Sequence, residues 1–264
     1  MLIAVTRAVS PTLADCELTH LPRDPINVVT AIAEHARYEE ALRSLGATVV
    51  RAPAEPTLPD AVFVEDTALV LDEAAVITRP GARSRRPEVE SMATVLSAYK
   101  SVHRIESPGT VDGGDLLLVG RTLYVGLSSR TNRAGLAQLG GVIRQWGYEV
   151  VPVPIDGCLH LKSAVTQVAD DLLLINERRV RAECFAPMEV VRVAPEEPDG
   201  ANALRIGTAV IYPSLYPQTA ERLERAGIRV VSVPCREVAK AEGGVTCCSV
   251  VFEAPSQSGP PSVA

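Results

Sequence analysis

The sequence has 264 residues, of which 47% are hydrophobic, and a formal net charge of -6 at pH 7. This length and apolar content allow a sizeable core in one large domain or two small ones. Lys and Arg are scattered rather than clustered, so the charge pattern argues against nucleic acid and other polyanions as partners. Neither a membrane-spanning stretch of roughly 18 apolar residues nor a secretion signal is evident. We therefore expect a cytoplasmic globular protein without a membrane partner.

One sequence phrase recurs along the chain and predicts the main helices and strands. It consists of a helix-like segment, then Gly, two residues, Val-Val, two residues and Pro, and its copies are at Gly46, Gly147 and Gly227. Apolar residues at helical spacing precede each glycine. The predicted helices cover 31–45, 132–146 and 218–226. Each glycine fits the left-handed position that ends a helix, and each Val-rich run fits a buried strand.

Short strand pairs lie between these phrases. The sequence pairs 67–71 with 75–78, and 116–119 with 122–125. Each unit therefore consists of a hairpin, a helix and a strand, in roughly 50 residues that cannot bury a core alone. The sequence predicts a closed ring of such units, and its length predicts about five of them. The Pro-, Ser- and Gly-rich tail predicts disorder, which divides the chain into one folded domain over 1–253 and a tail over 254–264.

Six cysteines are spread through a chain too large to need cross-linking, which favours free thiols in a reducing compartment. The adjacent pair Cys247-Cys248 follows Gly243-Gly244 at the predicted start of an apolar strand that runs to Phe252. Successive strand residues face opposite sides, so we predict one functional thiol and one neighbour turned away. The glycines allow close approach of a ligand, which suits a nucleophile, although a buried structural cysteine is the commoner use of the residue.

His160 stands between two apolar residues and is the best partner for such a thiol among the four histidines. A protonated imidazole lowers the pKa of a nearby thiol and donates a proton to a leaving amine. The competing interpretation is a hydrogen-bonded core histidine. His20, His35 and His103 fall in a polar loop, a helix and a strand edge, with no chemistry around them.

Two acidic motifs place carboxylates beside apolar strand sequence, one over 60–66 and one over 111–117. Such carboxylates bind a metal ion, clamp a guanidinium through paired charge-assisted hydrogen bonds, or simply cap turns. A zinc site drawn from Cys158, His160 and Cys247-Cys248 matches no common structural zinc spacing. The Gly-Gly pairs lack the context of a phosphate-binding loop, so we expect no nucleotide cofactor.

Six motifs, taken in chain order, resemble those of the dimethylarginine dimethylaminohydrolases over about 3–252. They are Phe-Val-Glu-Asp, Ile-Thr-Arg-Pro-Gly-Ala-x-Ser-Arg-Arg, Asp-Gly-Gly-Asp, Arg-Thr-Asn, Leu-His-Leu-Lys-Ser and Gly-Gly-x-x-Cys. The resemblance implies an α/β fold, the five-bladed α/β propeller (pentein) of repeated ββαβ units with pseudo-fivefold symmetry. It also implies hydrolysis of asymmetric dimethylarginine or monomethylarginine to citrulline and a methylamine, through a covalent thiouronium intermediate and without a metal or organic cofactor.

The resemblance also implies residue roles. Cys247 corresponds to the nucleophile, His160 to the general acid and base, and Asp112 to the carboxylate partnered with the histidine, at a position where the family also has Glu. The implied substrate-binding residues are Leu18, Asp60, Glu65, Asp66, Arg85, Arg130 and Ala241. The carboxylate of Asp66 would hold the guanidinium, with Glu65 close by and Asp60 nearer the amino end of the substrate. The two arginines would fix the α-carboxylate, while the backbone at the lid-loop leucine and at the alanine would contact the amino end.

Two other functions stay open at this point. An arginine deiminase uses the same residues on unmethylated arginine, but such enzymes typically carry an inserted helical domain for which 264 residues leave no room. A non-catalytic propeller, like the ribosomal anti-association factor of similar fold, would bind macromolecules, and the retained cysteine, histidine, acid and arginines argue against it. The expected partner is therefore a small cationic amino acid; the oligomeric state is open, with a homodimer as one option.

Overall fold

The computed structural model describes residues 1–255 and consists of short strands and helices in a regular order. The strands are β1 (Leu2–Thr6), β2 (Thr48–Arg51), β3 (Ala68–Val70), β4 (Ala74–Ile77), β5 (Ser101–Arg104), β6 (Leu116–Val119), β7 (Thr122–Leu127), β8 (Glu149–Pro154), β9 (Val165–Ala169), β10 (Leu172–Ile175), β11 (Glu189–Arg192), β12 (Leu204–Ile206), β13 (Ala209–Pro213), β14 (Arg229–Val233) and β15 (Val250–Glu253). The helices are α1 (Val28–Ser44), α2 (Val89–Ser97), α3 (Arg133–Ile143), α4 (Pro217–Arg225) and α5 (Arg236–Ala239). The predicted disordered tail lies, from residue 256 onward, outside the described residues.

The strands form five three-stranded sheets with one repeated topology. In each sheet the first strand is antiparallel to the central strand, and the central strand is parallel to the third. The connection to the third strand contains a helix in four sheets; in the sheet of β9, β10 and β11 it contains only the short 3-10 turn Ala182–Phe185. Pro187 follows this turn closely, and proline cannot continue a helix. The hairpin–helix–strand repeat is therefore confirmed, with one shortened copy.

The ring closes through the two ends of the chain. Strand β15, near the C-terminus, pairs with β1, so both ends belong to one sheet. Five hydrophobic clusters fill the five interfaces between neighbouring sheets, and one of them joins Ala4 of the first sheet to Ile211 and Val233 of the last. Because each sheet buries a face on both neighbours, no single repeat has a core of its own. The predicted ring of five units is confirmed.

The recurring glycines end their helices as predicted. Gly46, Gly147 and Gly227 adopt φ values of 91°, 77° and 82°, in the left-handed region that favours glycine. The strands β2, β8 and β14 follow them. The third strands of the other two sheets, β5 and β11, lack the glycine and the proline but share the same alternation of exposed ends and half-buried central residues. The sequence therefore shows three copies of a unit that the structure contains five times.

The first strands of the five sheets, β3, β6, β9, β12 and β15, all line one axial cavity. The chain turns immediately before each of these strands, so five turns gather at one end of the axis. Across the described residues, every helix is too short or too polar to cross a membrane.

The clearest prediction about the free energy of unfolding concerns His35. It is buried in α1, and within residues 1–255 neither ring nitrogen has a hydrogen-bond partner. Burial lowers the pKa of His35 from 6.5 to about 4, although Glu39 opposes the shift. Because the unfolded chain takes up this proton first, the stabilising effect is present above pH 6.5 and is lost as the pH falls towards 4. Between pH 7 and pH 5 this loss amounts to about 2 kcal/mol.

A His35→Leu variant should lose this part of the pH dependence. We expect the difference in unfolding free energy between pH 7 and pH 5, from urea titrations, to be smaller by about 2 kcal/mol than in the wild type. The control is His103→Gln on half-buried β5, which should keep the wild-type difference. An unchanged difference in His35→Leu would show that this histidine does not titrate in that range.

Candidate active site

Each of the five repeats contributes one polar side chain from the turn before its first strand. The turns before β3, β6, β9, β12 and β15 carry, in that order, Asp66, Asp112, His160, Asn202 and Cys247. Residues about 45 positions apart in sequence therefore meet at one end of the axis because the ring repeats. The fold, rather than any local motif, brings the nucleophile candidate and the histidine together.

His160 lies between two carboxylates. Its Nε2 is 3.0 Å from Asp112 Oδ2, and its Nδ1 is 3.9 Å from Asp66 Oδ1. Asp112 is fully buried and also accepts a hydrogen bond from the backbone N–H of Gly81 at 2.8 Å. A Cβ atom at Gly114 would lie 2.5 Å from His160 Nδ1, so the glycine of the Asp-Gly-Gly-Asp motif leaves room for the imidazole.

These carboxylates decide the protonation of the histidine. Burial disfavours the imidazolium, but Asp66, Asp112 and Asp115 outweigh burial and raise the pKa of His160 to about 9. Burial likewise opposes ionisation of Asp66, whereas His160 and Arg85 hold the pKa of this carboxyl down at about 2. At neutral pH the site therefore holds an imidazolium beside an ionised carboxylate, and the histidine is ready to donate a proton.

Cys247 lies in a turn and not at the start of a strand as predicted, because β15 begins only at Val250. The backbone N–H of Gly244 donates to its sulfur at 3.2 Å. Its neighbour Cys248 is buried in the hydrophobic cluster, so the two thiols do have different surroundings, set by the turn and not by strand alternation. Burial raises the pKa of the Cys247 thiol, and the nearby Glu65 carboxylate raises it further. The thiol is therefore protonated at neutral pH.

A small cavity brings most of the predicted residues together. Its lining includes Asp60, Asp66, Arg85, Arg130, His160, Ala241 and Cys247. Asp112 stands directly behind the imidazole. A second, larger cavity meets the first at Cys247, Leu159 and Glu242. The thiol is thus reachable from both sides.

The two predicted arginines differ in how many of their donors are engaged. Arg85 is buried and donates to the carboxylates of Asp66 and Glu88 and to the carbonyl oxygens of Asp60 and Phe63. Arg130 donates from Nη2 to the hydroxyl of Thr19 at 3.0 Å, and its Nη1 lies 4.0 Å from Asp112. Arg130 therefore has more hydrogen-bonding capacity for a ligand carboxylate than Arg85 has.

Two predicted substrate-binding residues lie beside the small cavity. Glu65 accepts hydrogen bonds from Lys162 at 2.6 Å and from Thr246 at 2.8 Å, and it lines the axial cavity. The side chain of Leu18 is half-buried and packs on a hydrophobic cluster. The backbone N–H of Glu17, just before it, donates to Asp60 at 3.1 Å, which fixes this loop at the edge of the cavity.

Asp66, Asp112 and His160 also have potential metal-ligand atoms within 4.8 Å of one another. Each carboxylate is already bonded to the protein, Asp66 to Arg85 and Gly114, and Asp112 to His160 and Gly81. Cys158, considered in the zinc alternative, contacts the backbone carbonyl oxygen of His160 and does not belong to this group. The arrangement suits an organic cation with several N–H donors at least as well as a metal ion.

Asn202 was not predicted from the sequence, although it fixes the turn that carries Cys247 in place. Its Nδ2 donates to Thr246 Oγ1 at 3.0 Å and to the carbonyl oxygen of Lys162 at 3.1 Å, and its Oδ1 accepts from the backbone N–H of Thr246 at 3.0 Å. Gly244 packs directly on this amide, since a Cβ there would overlap it. Asn202 lies in the turn before β12, which corresponds to the turns that carry Asp66 and His160. This correspondence could have pointed to Asn202, but it becomes visible only once the ring of repeats is known.

An Asn202→Ala variant should loosen the turn that carries Cys247. We expect iodoacetamide to modify Cys247 several-fold faster at pH 8 than in the wild type, because the three hydrogen bonds to the turn and its neighbour are lost. Mass spectrometry of the Cys247 peptide measures this rate. The matched control is Asn176→Ala, which removes a buried asparagine bonded to Pro198 in a different part of the ring. Equal rates in both variants would contradict the role of Asn202.

A family model and individual relatives point to the same protein family. A sequence model described as N,N dimethylarginine dimethylhydrolase, eukaryotic, matches residues 23–253. The chain is 38% identical to the N(G),N(G)-dimethylarginine dimethylaminohydrolase of Streptomyces coelicolor over 248 residues, which cover 94% of this chain and 95% of the relative. It is 36% identical to the enzyme of the same name from Pseudomonas aeruginosa over 224 residues, covering 84% and 88%.

Solved structures agree with this similarity. The Pseudomonas aeruginosa protein, as a Cys-to-Ser mutant complexed with citrulline, superposes with a TM-score of 0.90 at 33% identity and covers 94% of this chain and 98% of its own. The N-terminal domain of the cyanobacterial arginine dihydrolase ArgZ superposes with a TM-score of 0.86 at 19% identity, covering 96% of this chain and 98% of its own, which shows a shared fold alone. The predicted five-bladed α/β propeller is confirmed.

Proposed function

The chain belongs to the dimethylarginine dimethylaminohydrolase family, and we propose that it hydrolyses an Nω-methylated arginine to citrulline and a methylamine. It is a hydrolase that acts on C–N bonds of linear amidines. The observation that carries the residue assignment is a thiol and an imidazolium facing one cavity that also holds a buried, ionised carboxylate. A substrate guanidinium supplies the cation that this arrangement accommodates.

The first step is activation of the thiol by the substrate. A guanidinium bound to Asp66 and beside Asp112 places a positive charge next to Cys247, whose pKa is raised by burial and by neighbouring carboxylates. The cation therefore favours the thiolate, and the thiol proton leaves to solvent. This order makes nucleophile formation depend on a bound substrate.

The chemistry then proceeds through a covalent intermediate. The thiolate sulfur bonds to the guanidinium carbon, and His160 donates its proton to the departing amine as the C–N bond breaks. The thiouronium that remains is attacked by water, whose proton passes to the now neutral imidazole. The C–S bond then breaks as the carbonyl of citrulline forms, the hydroxyl proton of the adduct passes to the departing thiolate, and citrulline is released with the thiol regenerated. Asp112, hydrogen-bonded to His160 Nε2, keeps the ring in place through both proton transfers.

The amino-acid end of the substrate is held by the opposite side of the cavity. We assign the α-carboxylate primarily to Arg130, whose bonds within the protein leave donors for a ligand. Arg85 contributes through its ion pair with Asp66, which orients that carboxylate, besides the direct contact that the sequence predicts. Asp60, together with the backbone at Leu18 and Ala241, is proposed for the α-amino group. Glu65 acts from behind the cavity through its field on the thiol.

Family membership favours methylated arginine over the arginine deiminase alternative, since two relatives, at 36% and 38% identity, are named for dimethylarginine. Six free cysteines suit the proposed cytoplasmic location. The homodimer stays a prediction.

The direct test is citrulline formation from asymmetric dimethylarginine, monomethylarginine and arginine. We expect the methylated substrates to give the higher kcat/KM. Cys247→Ser should reduce turnover by more than about 10³-fold, because the hydroxyl is a much weaker nucleophile here. Cys248→Ser is the matched control and should keep most of the activity. Absence of citrulline with all three compounds would refute the function, and the reverse order of the two variants would refute the choice of thiol.

A second test separates the electrostatic effect of Asp66 on the Cys247 thiol from the role of Asp66 in turnover. Asp66→Asn removes a carboxylate that raises the pKa of the Cys247 thiol, so the thiol should react faster with iodoacetamide at pH 8 while turnover is lost. We expect a rate increase of about three- to tenfold and a fall in kcat/KM of more than about 10²-fold. Asp60→Asn, in the same cavity, is the control and should leave the alkylation rate close to the wild-type value. Slower alkylation in Asp66→Asn would contradict the electrostatic account.

A further inference from the structure

Glu242 is a half-buried residue that the proposed reaction does not use, and it lies where the two cavities meet. Its carboxylate accepts hydrogen bonds from three consecutive backbone N–H groups of the loop between β1 and α1. Thr19 N is 3.1 Å from both oxygens, and the nitrogens of His20 and Leu21 are each 2.5 Å from Oε1. Successive N–H groups that converge on one point form a binding site for an anion, and here the anion is a side chain of the same chain.

The loop held in this way borders the substrate cavity. The backbone N–H of Glu17 donates to Asp60 at 3.1 Å, and the hydroxyl of Thr19 accepts from Arg130 at 3.0 Å. Both partners line the small cavity and are assigned above to the two ends of the amino acid. The position of the loop therefore affects the groups that recognise the substrate, at a distance from the reacting carbon.

The segment around α5 fixes the same loop at its other end. Glu237 accepts from the backbone N–H of Asn27 at 2.7 Å, and Lys240 Nζ donates to the carbonyl oxygen of Pro25 at 2.9 Å. These contacts lie at the start of α1, so they anchor the base of the loop. Glu242 is the contact that reaches its tip. In the sequence, Glu242 also directly precedes Gly243, so it lies at the start of the segment that turns at Cys247.

The backbone at Glu242 is itself unusual, with φ at 57°. Within residues 1–255, Glu242 is the one non-glycine residue with a positive φ. This conformation costs free energy for most residues that carry a side chain. A glycine would adopt it without strain. The side chain therefore occupies this position despite its backbone preference, which points to a role for the carboxylate.

We propose that Glu242 is a positioning residue that fixes the loop over 17–21 against the substrate cavity and thereby strengthens substrate binding. This inference rests on the proposed function for its effect on turnover. Its structural part, the protection of three amides by one carboxylate, is independent of any reaction. Because the carboxylate touches the loop and not the reacting atoms, its loss should change KM more than kcat.

The test compares Glu242→Gly, Glu242→Gln and the control Glu224→Gln, which changes an exposed carboxylate on α4. Glu242→Gly removes the carboxylate at a backbone angle that glycine accepts, so folding should be retained. In hydrogen exchange, we expect the amides of the 17–21 peptide to exchange at least about tenfold faster in Glu242→Gly. KM for the methylated substrate should rise about tenfold with kcat within about threefold of the wild type. Glu242→Gln, which keeps one acceptor oxygen, should lie between, and Glu224→Gln should match the wild type.

Unchanged exchange of the 17–21 amides in Glu242→Gly would overturn the proposal. Faster exchange with unchanged KM would overturn the positioning role, since the loop would then be held without consequence for the substrate. A fall in kcat alone would also overturn it, because that pattern indicates a part in the chemical step. If the wild-type protein gave no citrulline, the proposed function would fail, whereas the exchange result would still decide whether Glu242 holds the loop.

Discussion

The ion pair between Asp66 and Arg85 is the interaction on which the rest of the site depends. Both side chains are buried, and removing one partner of such a pair leaves an uncompensated charge that costs several kcal/mol. The same Asp66 accepts the backbone N–H of Gly114 and faces His160, so it joins three turns of the ring. Arg85 in turn binds the carbonyl oxygen of Phe63, which fixes the turn that carries Asp66. The negative charge is thus held in place before any substrate arrives.

This fixed charge raises the pKa of both groups that are proposed to react. Burial disfavours the imidazolium, but Asp66 and the neighbouring carboxylates outweigh burial, so the pKa of His160 lies at about 9. The pKa of Cys247 is raised by burial first, then by Glu65 and by Asp66. Both groups are therefore protonated at neutral pH, in contrast to a thiolate–imidazolium pair. A cation in the cavity reverses the effect on the thiol. In the proposed reaction, this arrangement makes activation of the thiol depend on the charge of the bound substrate, which would protect the thiol from other electrophiles.

The fold could be predicted to a useful depth because its signals are local. Helix-ending glycines and Val-rich strands are set by backbone sterics, and they appear in the sequence as a phrase at Gly46, Gly147 and Gly227. The contacts of the site are long-range and left no such pattern. The bonds from Lys162 to Glu65 and from Arg85 to Phe63 depend on which turns meet at the axis. Motif resemblance therefore identified the residues that line the cavity but gave no warning that Arg85 is already engaged.

One of the five turns at the axis carries an uncharged amide, and the charges around it account for this. The neighbouring turns place Glu65 and Lys162 together at 2.6 Å, so the charge on this side of the axis is already balanced. A further carboxylate at Asn202 would face the carbonyl oxygen of Lys162, to which the amide now donates, and would lack a cation. An amide can donate to that carbonyl and accept from the N–H of Thr246 at once, which a carboxylate or an ammonium cannot do. The asparagine thus satisfies the backbone of the turn that carries Cys247 without adding a net charge near the thiol, and the charged side chains that act on Cys247 are Glu65, Asp66 and Lys162.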